Sequence, residues 1–192
     1  MNSSNKKIIA IVGMCGAGKT EAVNYLKEKL NCPNVYFGDV TFDRMKKDGI
    51  EINYENEKIT REKIREELGM GAYATLSLPK IKKNLEKNNI CLAESLYSWS
   101  EYKIMKDNFG DNFYTLAVFA SPATRFARLT NRKHERPMSS KEEFIRRDYT
   151  EIENSEKGGP IARADFLVYN ETNINDLKKQ INNIIEKILK IN

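Results

Sequence analysis

The stretch "IIAIVGMCGAGKT", Ile8 to Thr20, constrains this chain more than any other. An unbroken apolar run ends in glycines, then a lysine and a hydroxyl. The run reads as a fully buried strand. Gly13-Met14-Cys15-Gly16-Ala17-Gly18-Lys19-Thr20 fits G-x-x-x-x-G-K-[ST] in full. Glycines let the backbone bend so that successive N–H groups face one phosphate. The helix after them aims the positive end of its dipole at the same point. Lys19 is placed to reach the β- and γ-phosphates, and Thr20 to offer a hydroxyl to Mg²⁺. The expectation is a nucleotide site on Gly13, Cys15, Gly16, Ala17, Gly18, Lys19 and Thr20.

Beyond Gly18 the pattern turns helical, with Ala22, Val23, Leu26 and Leu30 on one face and a stop near Cys32-Pro33. Four more strand-like runs follow: "NVYFG", "NICLAES", "FYTLAVFA" and "ADFLVYN". Between the second and third runs, a mostly polar, helix-favouring region extends from about Asp39 to Asn88, broken near Gly49 and Gly69–Gly71. Further helical patterns cover about Ser98–Asn108, Thr124–Asn131 and Lys141–Asn154. The last helix carries Ile174, Leu177, Ile181, Ile184, Ile185, Ile188 and Leu189 on one stripe, as a core-facing helix does. Strands alternating with helices imply βαβ crossovers. The predicted fold class is therefore α/β: a three-layer P-loop NTPase fold with a central, mostly parallel five-stranded sheet. No repeat or linker divides residues 1–192, so a single domain is expected. The segments 39–71 and 132–160 read as too polar for the core, and as mobile flaps over the site.

The 192 residues suffice for one such domain with a full core. No apolar run approaches the roughly 20 residues of a membrane span. "MNSSNKK" leads straight into the first strand without a signal-peptide core, so a cytoplasmic location is the default expectation. Net charge is +5, from 32 basic and 27 acidic residues. That suits an anionic ligand, although solvated lysines are the plainer account. Three cysteines without a C-x-x-C pair argue against a disulfide framework or a zinc site. A single histidine, His134, supports neither a Ser-His triad nor a His-pair metal site. The chemistry must rest on Lys, Arg, Asp and Glu.

In a parallel sheet the carboxyl ends of the strands line one edge, where ligands bind. The second strand ends in "FGDV", which places Asp39 near the phosphate loop. There it can orient an acceptor hydroxyl, hold Mg²⁺ through water, or cap the helix it opens. Glu94, at the end of the third strand, suits a Walker-B-like partner for Mg²⁺. After the fourth strand, Arg125, Arg128, Arg132 and Arg136 recur at intervals of three or four. They can clamp a transferring phosphoryl group, or simply form a basic helix face. A second cluster, Arg146-Arg147-Asp148, follows.

This order of motifs resembles the nucleoside monophosphate kinases (adenylate kinase-like) and, more closely, dephospho-CoA kinase and its relatives of unsettled activity. "ASPATRFARLTNR", "EEFIRRD" and "ADFLVYNETN" are similar to segments of an archaeal group in that last class. The resemblance runs over about residues 8–185. It implies that Arg128 stacks on adenine, Arg132 reaches the transferring phosphoryl group and Asp39 faces the acceptor. Residues 39–71 become the acceptor-binding flap and 132–147 the lid, whose closure excludes water. Two positions depart from the family pattern. Phe42 stands where adenylate kinase-like proteins place an arginine, with Arg44, Arg61 and Arg65 near enough in sequence to compensate. Tyr97 stands where the relatives often carry another. These changes favour an acceptor that packs a base or a less anionic group on Phe42 and Tyr97.

Three readings stay open. The first is a small-molecule kinase using ATP and Mg²⁺ on a nucleoside-, nucleotide- or dephospho-CoA-like acceptor. The second is a nucleotide-dependent switch with weak hydrolysis. The third and least favoured is a kinase acting on nucleic acid. No membrane partner is expected, and the sequence sets no oligomeric state.

Overall fold

A computed structural model describes residues 6–132 and 138–190. β1 (Lys7–Val12) is buried along its whole length. Its side chains alternate, so Ile8, Ala10 and Val12 enter one core cluster and Ile9 and Ile11 the other. The other strands are β2 (Asn34–Tyr36), β3 (Ile90–Glu94), β4 (Phe113–Phe119) and β5 (Phe166–Tyr169). The sheet order is β2-β3-β1-β4-β5 and every pairing is parallel. The one qualification in the expected sheet, "mostly" parallel, therefore falls away. Parallel neighbours require crossovers, and the helices that make them cover both faces.

On one face lie α3 (Tyr54–Leu68), α4 (Ala72–Lys87) and α5 (Trp99–Phe109), contributing Ile64, Ile81, Leu85 and Met105 to the core. On the other lie α1 (Lys19–Leu30) and α9 (Ile174–Lys190), which bury Leu26, Leu177, Ile181 and Ile185. α2 (Asp39–Lys47) leads into α3. A third, smaller cluster joins α6 (Pro122–Thr130) and α7 (Lys141–Glu153). There Leu129, Met138 and Phe144 pack with Cys15 of the phosphate loop. A short α8 (Gly158–Ala162), which no periodicity announced, precedes β5.

Two expectations need correction. The segments 39–71 and 132–160 do reach the core: Met45, Ile64, Phe144 and Pro160 are buried. A helix needs an apolar residue only every third or fourth position to dock, so a polar average conceals a docking stripe. The α9 stripe is also shorter than read. Ile174 and Leu189, at its ends, are 40% and 49% exposed. Among the described residues no helix is long and apolar enough to cross a membrane.

With all strands parallel, the loops after their carboxyl ends share one edge. That edge carries the phosphate loop after β1, Asp39 after β2, Ser95–Ser98 after β3 and Asn170 after β5. α6 starts there too, capped by the Ser121 hydroxyl with Pro122 in its first turn.

Candidate nucleotide site and adjoining cleft

The loop after β1 depends on glycine at two close approaches. Gly13 has φ +146, and a Cβ there would run into the Val118 carbonyl oxygen of β4. Gly18 caps α1 at φ +99, where a Cβ would overlap the Asn170 side-chain amide. That amide donates to the Ala17 carbonyl at 2.8 Å, a bond between groups 153 residues apart. Asn170 is itself buried, and its own N–H donates to the Phe119 carbonyl at 2.7 Å. The last strand thereby fixes the back of the phosphate loop. No local sequence signal marks Asn170 for this role.

Beside this loop runs a groove of about 370 Å³, lined by Gly18, Glu21, Arg128, Asn170, Thr172 and Ile174. Arg128 Nη2 donates to Asn170 Oδ1 at 3.4 Å, and its Nη1 is buried with no partner among the described residues. Arg125, one turn earlier, faces inward instead. It donates to the Cys15 carbonyl at 3.2 Å and bidentately to Asp148 of α7 at 2.8 and 2.5 Å. Its guanidinium also lies 5.0 Å from the centre of the Phe144 ring. Arg125 is thus a strut between loop, α6 and α7, so the basic spacing in α6 does not form one clamp. Arg132 follows the end of α6, and its charge reaches Lys19. His134 and Arg136, with residues 133–137 of the expected lid, lie outside the described residues.

Lys19 Nζ donates to the Met14 carbonyl at 3.0 Å. Burial, and then the like charge of Lys157, hold its ammonium down to about 7. Lys157 precedes α8 and is buried. Its ammonium donates to Glu151 Oε2 at 2.6 Å and lies 4.3 Å from the centre of the Tyr97 ring. Arg147 Nε meets the other Glu151 oxygen at 3.3 Å. Burial alone would raise the Glu151 carboxyl, but Lys157, then Arg147 and Lys19, bring it below its ordinary value. Sequence reasoning missed both Lys157 and Glu151.

The loop after β3 forms the facing wall. Ser95 adopts φ +66, and the Tyr97 hydroxyl donates to its Oγ at 3.2 Å. Tyr36 stands close by. Burial, then Tyr97 and Glu94, push its phenol up to about 12, with Ser95 and Asp39 also within reach. Asp39, Glu94, Ser95 and Tyr97 therefore share one neighbourhood. Asp39 is not the cap of α2; Gly38 takes that position without a side-chain bond. The Asp39 carboxylate instead accepts from Lys80 of α4 at 2.6 Å. Glu94 Oε2 accepts from Asn34 at 2.6 Å.

A family model described as an AAA domain matches residues 9–157. The chain is 38% identical over 182 residues to the UPF0200 protein MJ1399 of Methanocaldococcus jannaschii, covering 95% of this chain and 90% of that one. It is 36% identical over 186 residues to the UPF0200 protein PYRAB09750 of Pyrococcus abyssi, covering 96% and 98%. The chain belongs to the UPF0200 family.

Solved structures share the fold of this UPF0200 protein, and two illustrate it. One is shikimate kinase from Acinetobacter baumannii in complex with shikimate: TM-score 0.62, 19% identity, 97% of this chain and 96% of that one. The other is a gluconokinase from Sinorhizobium meliloti: TM-score 0.53, 12% identity, 96% of each chain. The UPF0200 chain thus has a P-loop kinase-like fold. The adenylate kinase and dephospho-CoA kinase resemblance holds at that coarser level.

The remaining expected acceptor residues of the UPF0200 protein divide. Phe42 is half-buried, one turn into α2 from Asp39. Arg44 is committed elsewhere, at 2.5 Å from Asp48 and 2.8 Å from Glu67. Arg61 pairs with Glu57 on its own helix at 3.4 Å. Arg65 lies 5.4 Å from the centre of the Tyr73 ring, with its Nε buried and without a hydrogen-bond partner among the described residues. Of the three arginines expected to compensate for Phe42, Arg65 is the one with a buried nitrogen that no hydrogen-bond partner among the described residues satisfies.

Proposed function

We propose that this UPF0200 protein is an ATP- and Mg²⁺-dependent phosphotransferase. Its acceptor is a small molecule of nucleoside, nucleotide or dephospho-CoA-like class. One observation carries the reading: Lys157, whose charge bears on Lys19 of the phosphate loop, lies 4.3 Å from the Tyr97 ring on the wall after β3, in the neighbourhood that holds Asp39. A site that only held a nucleotide would not need that third side.

In this reading the phosphate loop and Lys19 hold the triphosphate. The adenine occupies the groove beside Gly18, where Arg128 stacks on it and the orphaned Nη1 finds an acceptor. Thr20 and Glu94 would offer hard oxygen donors of the kind Mg²⁺ takes. When bound, Mg²⁺ neutralises charge on the β- and γ-oxygens. Asp39, held by Lys80, orients the acceptor hydroxyl and takes its proton. The acceptor oxygen bonds to the γ-phosphorus as the bond to the β,γ-bridging oxygen breaks, and that electron pair leaves with ADP. Arg132 neutralises charge on the group in transit. Phe42, Arg61, Arg65 and Tyr97 line the acceptor side. Positioning and charge supply most of the rate in such chemistry.

A second reading, a nucleotide switch with weak hydrolysis, draws on the double ion pair that keeps Arg44 from a ligand. An ATP-consumption screen across nucleosides, nucleotides and dephospho-CoA separates the two. The kinase reading expects one acceptor to raise ADP release at least ~10-fold over the protein alone, and Lys19→Ala to abolish the increase. Equal, slow turnover with every acceptor refutes it.

A further inference from the structure

We infer that Lys157 is a catalytic residue, its ammonium contacting the phosphoryl group in transit opposite Lys19; this rests on the phosphotransferase reading above. The position of the side chain supports it first. Lys157 reaches both sides of the cleft at once. Its ammonium sits over the ring of Tyr97 on the wall after β3, while its charge bears on Lys19 of the phosphate loop. A group passing from a nucleotide held by Lys19 to an acceptor against Tyr97 travels between those two contacts.

The charge balance supports it second. Lys157 is only 4% exposed, and lysines are almost never buried that far unless paired. Its carboxylate, Glu151, is shared. Arg147 bonds to it at 3.3 Å, and Lys19 feels its charge as well. Among the described residues of this cluster, Lys19, Arg147 and Lys157 thus have one carboxylate between them. A lysine that merely steadied the end of α7 would account for the Glu151 pair. It would not account for a buried ammonium whose charge bears on the half-buried Lys19, which is unfavourable until an anion enters between them. A phosphoryl group supplies that anion.

The third support is complementarity with Tyr97. Read from sequence, Tyr97 removes a positive charge from the cleft. The structure returns one through Lys157, from a segment distant in sequence. Gly159 sets that turn close against Trp99, where a side chain would crowd the indole. Lys157 forms no covalent bond in the step; it stabilises charge that develops on the γ-oxygens.

The test uses the full chain with Mg²⁺, ADP and aluminium fluoride, whose complex with ADP imitates the phosphoryl group in flight. Affinities come from calorimetry, and the donors around the fluoride from fluorine NMR. Lys157→Met is expected to leave ADP affinity within about twofold and to weaken the aluminium fluoride complex by about 100-fold. Its fluorine resonances should shift, and Lys157→Arg should recover most of the affinity. Equal loss for ADP and for the fluoride complex, or no loss in either, overturns the role of Lys157. If Lys157→Met fails to fold, Glu151→Gln decides. The inference expects it to keep the preference for the fluoride complex over ADP, whereas a structural clamp would lose both together. A wild-type protein that binds ADP but gains nothing from aluminium fluoride overturns the phosphotransferase reading itself.

Discussion

Glu101, in the first turn of α5, is a carboxyl buried in the wall that carries Tyr97. It is 1% exposed and accepts from the Tyr97 and Ser98 backbone N–H groups at 2.6 and 3.0 Å. Burial pushes it up from 4.5 to about 7, against the pull of those two bonds and of Arg65. A carboxyl raised on folding holds its proton more tightly in the native state than in the unfolded chain. Its stabilising effect is complete below pH 4.5 and is lost as pH rises to 7. The span of about 2.5 pH units corresponds to about 3 kcal/mol. Glu101→Gln keeps an oxygen for the two N–H donors and cannot ionise. Urea unfolding of both proteins at pH 5 and pH 8 isolates the effect, because any change in packing is common to both conditions. The stability difference should move by about 2–3 kcal/mol in favour of Glu101→Gln between pH 5 and pH 8. A difference that stays the same at both pH values refutes the argument that Glu101 is buried and titrates near neutrality.

Two further substitutions test the supports of the phosphate loop, and a third, at an exposed ion pair, serves as their control. Asp148→Asn should cost about 3–5 kcal/mol in urea unfolding, because it leaves the Arg125 guanidinium, 5% exposed, without its carboxylate. Asp48→Asn, at an exposed pair with Arg44, should leave the urea midpoint almost unchanged in the same measurement. Gly18→Ala meets φ +99 and the Asn170 amide together. It should lower stability by about 1–3 kcal/mol and weaken ADP binding in calorimetry. Unchanged binding would remove Asn170 from the account of the loop.

The strand, loop and first helix were legible because their signals are local. An apolar run, three glycines and an apolar stripe at helical spacing each act between near neighbours. The break at Gly69–Gly71 and the strand end at Glu94 were readable for the same reason. Less was legible where a residue had two local meanings. Asp39 read as a possible cap, and Arg125 as one of a basic set. The first holds an ion pair with Lys80, and the second is an internal strut. A periodic pattern tells which residues share a helix face, not what packs against that face.

By itself, then, the sequence determined that this chain forms an α/β fold with a phosphate loop, and which lysines, arginines and carboxylates follow the strand ends. Only the tertiary structure decided which of them meet. Asn170 reaches Ala17 across 153 residues, and Arg125 reaches Cys15 across 110. Lys157 comes to Tyr97 and Lys19 from the far side of α7. Such contacts depend on strand order and on how helices cross the sheet. Those are set by the burial of two whole faces at once, so no short segment carries a record of them.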